Sequence, residues 1–361
     1  MLIQLFWFLG GLVSLIVGAD ILVRGASNLA ISFGISPLVV GLTIVAFGTS
    51  APEIAVSVSA AMSDTTDIAV GNVVGSNIFN ILFILGISAI IAPLVVQAQL
   101  IRQEVPLMIG FTALLIFLSL DGLVSRSDSL ILVSLLIAYT AFLLIQSRRQ
   151  TKPTAVSALD EKPIQERLRR NHWGLQVAFI AIGLVFLVMG SGWLVSSASS
   201  FATAIGISDV VIGLTIVAAG TSMPEVATSL VAALKGERDI AVGNVIGSNI
   251  FNILACLGIS GLVAPEGLPI PPSVMAFDFW VMLAVALACL PMFISGREIA
   301  RWEGFVLLGY YIAYSSYLVL AAQDHDALPV FSSVMLVFVL PLTVVALVAS
   351  LWRTNRDSKS L

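Results

Sequence analysis

Two glutamates stand in sequence too apolar to carry them without a reason. Glu53 ends the stretch GLTIVAFGTSAPE, and Glu225 ends GLTIVAAGTSMPE 172 positions later. Thr49 and Glu53 are spaced i, i+4, so they share a helical face, with Ser50 beside them. Thr221, Ser222 and Glu225 repeat that spacing. A second polar stretch follows each glutamate. In DIAVGNVVGSNIFNIL, from Asp67, Asn72, Ser76 and Asn80 step by four along one stripe, and Asn244, Ser248 and Asn252 do so in DIAVGNVIGSNIFNIL, from Asp239. A charged carboxylate at mid-membrane costs on the order of a few kcal/mol even on lenient scales. It must be neutralised by a partner or a proton, and no lysine or arginine lies in the middle of an apolar run. A diffusible cation fits. Carboxylate, hydroxyl, amide oxygen and main-chain carbonyl are hard donors that suit Ca²⁺ or Na⁺ rather than zinc or copper. Two carboxylates balance one Ca²⁺ in formal charge.

The prolines sharpen this reading. Pro52 has no N–H, and its ring clashes with the carbonyl one turn back, at Gly48. The helix should kink there and leave main-chain carbonyls near Ala46 to Thr49 without helical partners. Gly220 and Pro224 repeat the device. Free carbonyls at membrane depth are tolerated only when buried in protein or lining a wet cavity. Gly71 with Gly75, and Gly243 with Gly247, allow another backbone to approach closely. Asn77 and Asn249 point off the polar stripe, toward neighbouring helices.

Other polar residues read as structure. Asp20 sits one turn before Arg24, an ion-pair spacing, Asp67 and Asp239 read as helix caps, and Asp278 belongs near the headgroups. Cys256 and Cys289 are isolated packing residues, and His325 is a loop cap. No phosphate loop, nucleophile elbow or thiolate spacing occurs. The expectation is therefore no enzyme, no resident cofactor and no nucleic-acid partner.

The elements that position these residues follow from composition. The 361 residues are 58% hydrophobic and only 11% charged, with a mean hydropathy of +1.05; soluble domains carry about 25% charged residues. Apolar runs long enough to span a bilayer fall near 2–22, 36–62, 67–92, 104–123, 127–147, 174–195, 208–234, 239–264, 273–295, 300–322 and 328–352. This predicts an all-α polytopic membrane protein with about 11 spans, the first a retained helix and not a cleaved signal. A basic loop, 148–172, separates two five-helix halves, 1–147 and 173–323, and 324–361 holds an extra helix and tail. Placing that loop in the cytoplasm by the positive-inside rule puts the N-terminus outside and the C-terminus inside. Arg24, Arg102, Lys235, Arg238, Arg297 and Arg301 then fall inside as well. About two-thirds of positions 41–93 match 213–265 outright, so the chain is duplicated. Five spans separate equivalent points, an odd number, so the repeats are inverted. Inverted repeats with broken polar helices meeting near the midplane are a secondary-transporter architecture.

GTSAPE with GNVVGSNIFN, and GTSMPE with GNVIGSNIFN, resemble the paired α repeats of the Ca²⁺/cation antiporter superfamily, most closely its sodium/calcium exchanger branch. The resemblance covers the first ten helices. It implies a bacterial-type exchanger in an inner or plasma membrane, with ion sites between the second, third, seventh and eighth spans. It further implies that Glu53 and Glu225 bind both Ca²⁺ and Na⁺, with Thr49 and Thr221 contributing main-chain oxygens. Ser50, Ser222, Ser76, Ser248 and the carbonyls of Ala46 and Ala218 complete the Na⁺ sites in this reading. Asn80 and Asn252 hold the remaining central positions. Many exchangers, including potassium-dependent ones, carry aspartate where this chain has Asn252, which argues against K⁺ co-transport and leaves H⁺ as an alternative coupling ion. A cation channel is a further alternative.

Overall fold

The computed structural model describes residues 2–63, 65–150, 173–204, 218–323 and 325–344. Most of the basic loop, the start of the predicted span 208–234 and the end of the C-terminal helix lie outside the described residues. Among those described, eight helices are long and apolar enough to cross a membrane, and a ninth span is a bent pair.

Two of the eight are longer than their hydropathy suggested. Helix α1 (Leu2–Phe33) runs well past the expected end near residue 22. Asp20 and Arg24 end the apolar run but neutralise each other one turn apart, at 2.8 Å, so the helix continues to Gly34, whose φ of 63° stops it. The bent pair follows, α2 (Pro37–Thr49) and α3 (Ala51–Met62), angled by 43° at Ser50. Next come α4 (Thr66–Ile91) and α5 (Leu100–Leu118), then α6 (Arg126–Gln150) and α7 (Trp173–Ala204). The second half continues with α8 (Ala218–Thr221), α9 (Met223–Leu234), α10 (Arg238–Val263), α11 (Val274–Ile294) and α12 (Arg301–Ala322). A shorter helix, α13 (Leu328–Val344), ends the described chain.

The inversion is visible where α1 meets α7. Gly11 lies against Gly190, Gly18 against Gly183 and Gly25 against Gln176, while Ser14 Oγ donates to the Phe186 carbonyl at 2.7 Å. One number rises as the other falls, so the helices are antiparallel. Gly11 and Gly183 are equivalent positions of the two repeats, as are Gly18 and Gly190. Homologous helices therefore run in opposite directions about a two-fold relation. Glycine is required here because the backbones nearly touch; a Cβ on Gly183 would come within 2.8 Å of the Gly18 carbonyl.

Two short strand pairs also join the halves. β1 (Leu94–Val95) pairs with β4 (Glu298–Ile299), and β2 (Leu123–Val124) with β3 (Leu268–Pro269), both antiparallel. Around the first pair, Val96 N–H donates to Arg297 O, Arg301 reaches Ile91 O and Gln97 reaches Asp239. Lys235 pairs with Asp20, and Ser27 bonds Glu237 at 2.7 Å. Arg24, Lys235, Arg297 and Arg301, all predicted to share one side, are thus linked through contacts near this strand pair and the neighbouring helix ends. Arg126 is at the other end, beside the β2–β3 pair, bonded to Ala264 O.

The capping role expected of Asp67 and Asp239 is corrected. The helices begin a residue earlier, after Thr65 and Glu237, with no side-chain cap. Both aspartates lie in the first turn, where a negative charge favours the helix N-terminus, and Asp239 accepts instead from Gln97 Nε2 at 2.7 Å. Asp278 accepts from Tyr314 OH at 2.8 Å, and His325 Nδ1 accepts from Ala327 N–H at 3.1 Å, as a loop cap does. Cys256 and Cys289 are free and buried.

Burial shows what the fold is built around. The apolar windows of α4 and α10 are 72% and 89% buried, against 6% for α12. The two helices that carry the asparagine stripes form the centre.

Candidate cation site

At both breaks the chain takes the same unusual backbone conformation. Ser50 has φ −80°, ψ 4° and Ser222 φ −86°, ψ 8°, a sparsely occupied region where active-site residues often sit. Pro52 and Pro224 fall in the first turn of the helix that follows, where a missing N–H costs nothing. The carbonyls one turn back are then the ones at risk. That of Gly220 accepts from Ser191 Oγ on α7, at 2.6 Å. Ala46 departs from expectation: its carbonyl accepts from Ser50 N–H at 3.0 Å and from Thr49 Oγ1 at 3.3 Å. The chain resumes its i→i−4 pattern immediately at Ser50, so the bend does not strip Ala46 of its partner. Ala218 opens the turn α8.

The breaks are completed crosswise. Ser50 Oγ donates to Glu225 Oε1 at 3.1 Å, and Ser222 Oγ donates to Glu53 Oε1 at 2.9 Å. Thr49 Oγ1 donates to Asn244 Oδ1 at 3.1 Å, and Thr221 Oγ1 to Asn72 Oδ1 at 3.3 Å. Each repeat's hydroxyls serve the other repeat's carboxylate and amide. Asn72 and Asn244 in turn hold their own breaks through Ser57 and Ser229, each at 3.0 Å. Ser76 Oγ lies 3.1 Å from Ser222 Oγ, and Ser248 is buried beside Glu225. Glu53 and Glu225 are 0% and 1% exposed.

One oxygen of each carboxylate is left over. Glu53 Oε2, Glu225 Oε2 and Asn80 Oδ1 are all buried with no hydrogen-bond partner. A buried, unsatisfied acceptor costs about 1–3 kcal/mol, and more when charged. Acceptors without donors, beside two acids and, among the described residues, no basic side chain, make a pocket that attracts a positive charge. Among the described residues, no group of three or more His, Cys, Asp or Glu gathers to hold a metal. The pocket's negative charge is that of two carboxylates, and its other oxygens are neutral.

Asn80 and Asn252 begin π-helical turns, Asn80–Leu85 and Asn252–Leu257. Such turns mark functional positions in many helices, and nothing in a hydropathy pattern announces them. Asn77 and Asn249, expected to bond neighbouring helices, do so across the two-fold. Asn252 Nδ2 donates to Asn77 Oδ1 at 3.1 Å, and Asn80 Nδ2 to Asn249 Oδ1 at 3.0 Å. Sequence reasoning missed Ser57, Ser229 and Ser191 in supporting roles. The first two were findable as polar residues one turn after each glutamate.

Inverted halves, broken helices and a buried oxygen-lined pocket define a polytopic membrane antiporter for cations. A family model described as "Sodium/calcium exchanger protein" matches residues 3–145 and 175–320, and the chain belongs to this family. It is 41% identical over 317 residues to the "Putative antiporter CaxA" of Alkalimonas amylolytica, covering 87% of this chain and 98% of that protein. It is 37% identical over 311 residues to "Inner membrane protein YrbG" of Escherichia coli, covering 85% and 94%. It is 34% identical over 336 residues to "Sodium/calcium exchanger MaX1" of Methanosarcina acetivorans, covering 84% and 95%. A solved structure of the sodium-calcium exchanger NCX_Mj is similar at a TM-score of 0.74 and 32% identity, over 88% of this chain and 99% of that one.

Proposed function

We propose that this protein exchanges Ca²⁺ for Na⁺ by alternating access to one central site between α2/α3, α4, α8/α9 and α10. The observation that carries the proposal is the pair of half-satisfied carboxylates. Glu53 and Glu225 each spend one oxygen on the other repeat's serine and keep one for a cation. Ca²⁺ takes six to eight oxygens; the carboxylates, the Asn80 and Asn252 amides, the Ser50, Ser222, Ser76 and Ser248 hydroxyls and the main-chain oxygens near Thr49, Thr221, Ala46 and Ala218 are the assigned donors. Na⁺ competes for the same oxygens. Support also comes from its similarity to proteins named as sodium/calcium exchangers. The bundle end that gathers Lys235, Arg297 and Arg301 is assigned to the cytoplasm, in a bacterial inner or plasma membrane, with the N-terminus outside.

Two carboxylates without a third acid would also be neutralised by two protons, so the test must separate coupling ions. Ca²⁺ uptake into Na⁺-loaded proteoliposomes should follow an imposed Na⁺ gradient and saturate. Uptake that follows only a pH gradient would instead assign a Ca²⁺/H⁺ antiporter, and single-channel currents would assign a channel. Glu53→Gln and Glu225→Gln should each abolish exchange while the protein still folds. Retained exchange in either variant removes the site assignment.

A further inference from the structure

Beyond the oxygens that would touch the cation, one feature of the surroundings decides which way the central amides face. An asparagine amide has two ends of opposite polarity, an acceptor oxygen and a donor NH₂, and only the oxygen suits a cation. The neighbouring asparagines alone do not fix the choice, because a pair of amides can hydrogen-bond either way round. A third group is needed that accepts and never donates.

Each half supplies one. Asn249 Nδ2 lies 3.6 Å from Met108 Sδ on α5, and Asn77 Nδ2 lies 3.5 Å from Met282 Sδ on α11. Both methionines are buried, at 1% and 2% exposure. A thioether sulfur can only accept. It therefore turns the NH₂ of Asn249 toward Met108 and leaves Asn249 Oδ1 toward Asn80. Asn80 must answer with its Nδ2, at 3.0 Å, which leaves Asn80 Oδ1 buried and without a partner. The second half reads the same way, from Met282 through Asn77 to Asn252 Nδ2 at 3.1 Å. There Asn252 Oδ1 takes only the weak Cys256 thiol, at 3.5 Å. Reversing either chain would set an amide oxygen against the sulfur lone pairs and present an NH₂ where a cation should bind.

We propose that Met108 and Met282 are positioning residues for the cation site: their sulfurs, acting through Asn249 and Asn77, fix the amides of Asn80 and Asn252 with oxygen toward the ion. The inference rests on the site reading above. Neither methionine touches the ion. The two methionines are equivalent positions of the repeats: past a two-residue insertion Leu94 aligns with Leu268, the π turns Leu100–Glu104 and Val274–Asp278 align, and Met108 falls on Met282.

The test is Ca²⁺ binding to the purified full-length protein in detergent, in Na⁺-free buffer, by isothermal titration calorimetry. Met108→Leu and Met282→Leu nearly conserve volume, a class of change that cores tolerate, and they remove the acceptor. Each should raise the Ca²⁺ dissociation constant by about threefold to tenfold, the worth of one ordinary hydrogen bond. The same substitutions are then made in the Asn80→Asp and Asn252→Asp backgrounds respectively. A carboxylate presents oxygen whichever way it turns, and without the sulfur Asn249 is free to turn its NH₂ toward it, so Met108→Leu should there cause no loss of affinity. A purely packing role predicts the same loss in both backgrounds, and that result would overturn the proposal. So would unchanged binding in both single variants. Glu53→Gln, titrated alongside, keeps the two readings apart. If it still binds Ca²⁺ as the parent does, the site assignment fails; if it loses binding while the leucine variants keep it, only the methionine role fails.

Discussion

Replacing Gly183 by alanine tests the α1–α7 contact on which the inverted arrangement depends. The added Cβ would lie 2.7 Å from Leu22 N, 2.8 Å from Gly18 O and 2.8 Å from Leu22 Cβ. Two of these three atoms are backbone, so no rotamer change relieves the overlap, and the helices must part by roughly half an ångström along the contact. Overpacking of this kind costs about 1–3 kcal/mol. Helix propensity works the other way, since alanine is favoured over glycine in a helix interior by roughly 0.5–1 kcal/mol. Gly192, on the same helix, separates the two effects, because it is exposed and a Cβ there meets nothing within 4 Å. Gly192→Ala should gain the propensity term alone, and the difference between the two variants isolates the cost of the close approach. Thermal unfolding in detergent should place Gly183→Ala roughly 2–10 °C below Gly192→Ala. If the two variants melt together, α1 and α7 do not pack backbone to backbone in the folded protein, and the antiparallel contact is wrong.

Two further outcomes follow from burial. Ser191→Ala removes the donor that occupies the Gly220 carbonyl, at 2.6 Å, and should destabilise the protein by about 1–3 kcal/mol in the same assay. Ser200→Ala, which removes only an exposed bond to a carbonyl of its own helix, should stay within about 0.5 kcal/mol of the parent. Cys256 and Cys289 are 0% and 1% exposed, so a maleimide should label neither in native membranes and both after denaturation. Labelling of Cys256 in the native protein would show that solvent reaches the centre of α10.

Much of this could be read before the fold was known, because the duplication carries its own control. A proline, two hydroxyls and a glutamate repeated at one spacing cannot be accidental packing, and the observed break at Ser50 lies where Pro52 placed it. What escaped detection depends on partners distant in sequence. Asp20 and Arg24 look like the end of a span to a hydropathy window; only their mutual pairing, and that of Asp20 with Lys235, lets α1 continue. The π-helical turns at Asn80 and Asn252 keep ordinary helical dihedrals at their ends and leave no mark in composition. Met108 and Met282 are equivalent positions of the repeats, but a methionine in an apolar helix reads as packing until an asparagine from the other half is seen beside it.

The crosswise bonding also bears on how the two glutamates compare. Since Ser50 serves Glu225 and Ser222 serves Glu53, neither half can complete its own carboxylate site, and the site exists only when both halves are docked. The halves are nonetheless not identical. Ser191 supports the second break, and the equivalent position in α1 is Ala19; Cys256 touches Asn252, and the equivalent of Cys256 is Ile84. Thr49 is fully buried and Thr221 only half so, with the same contrast between their partners Asn244 and Asn72. Symmetry therefore sets the residue types around the two carboxylates, and these departures make the carboxylates chemically distinct. Although Glu53→Gln and Glu225→Gln should both lose exchange, the Ca²⁺ affinity left in the two variants, measured by calorimetry, should differ, and equal residual affinities would show that the departures from symmetry do not reach the carboxylates.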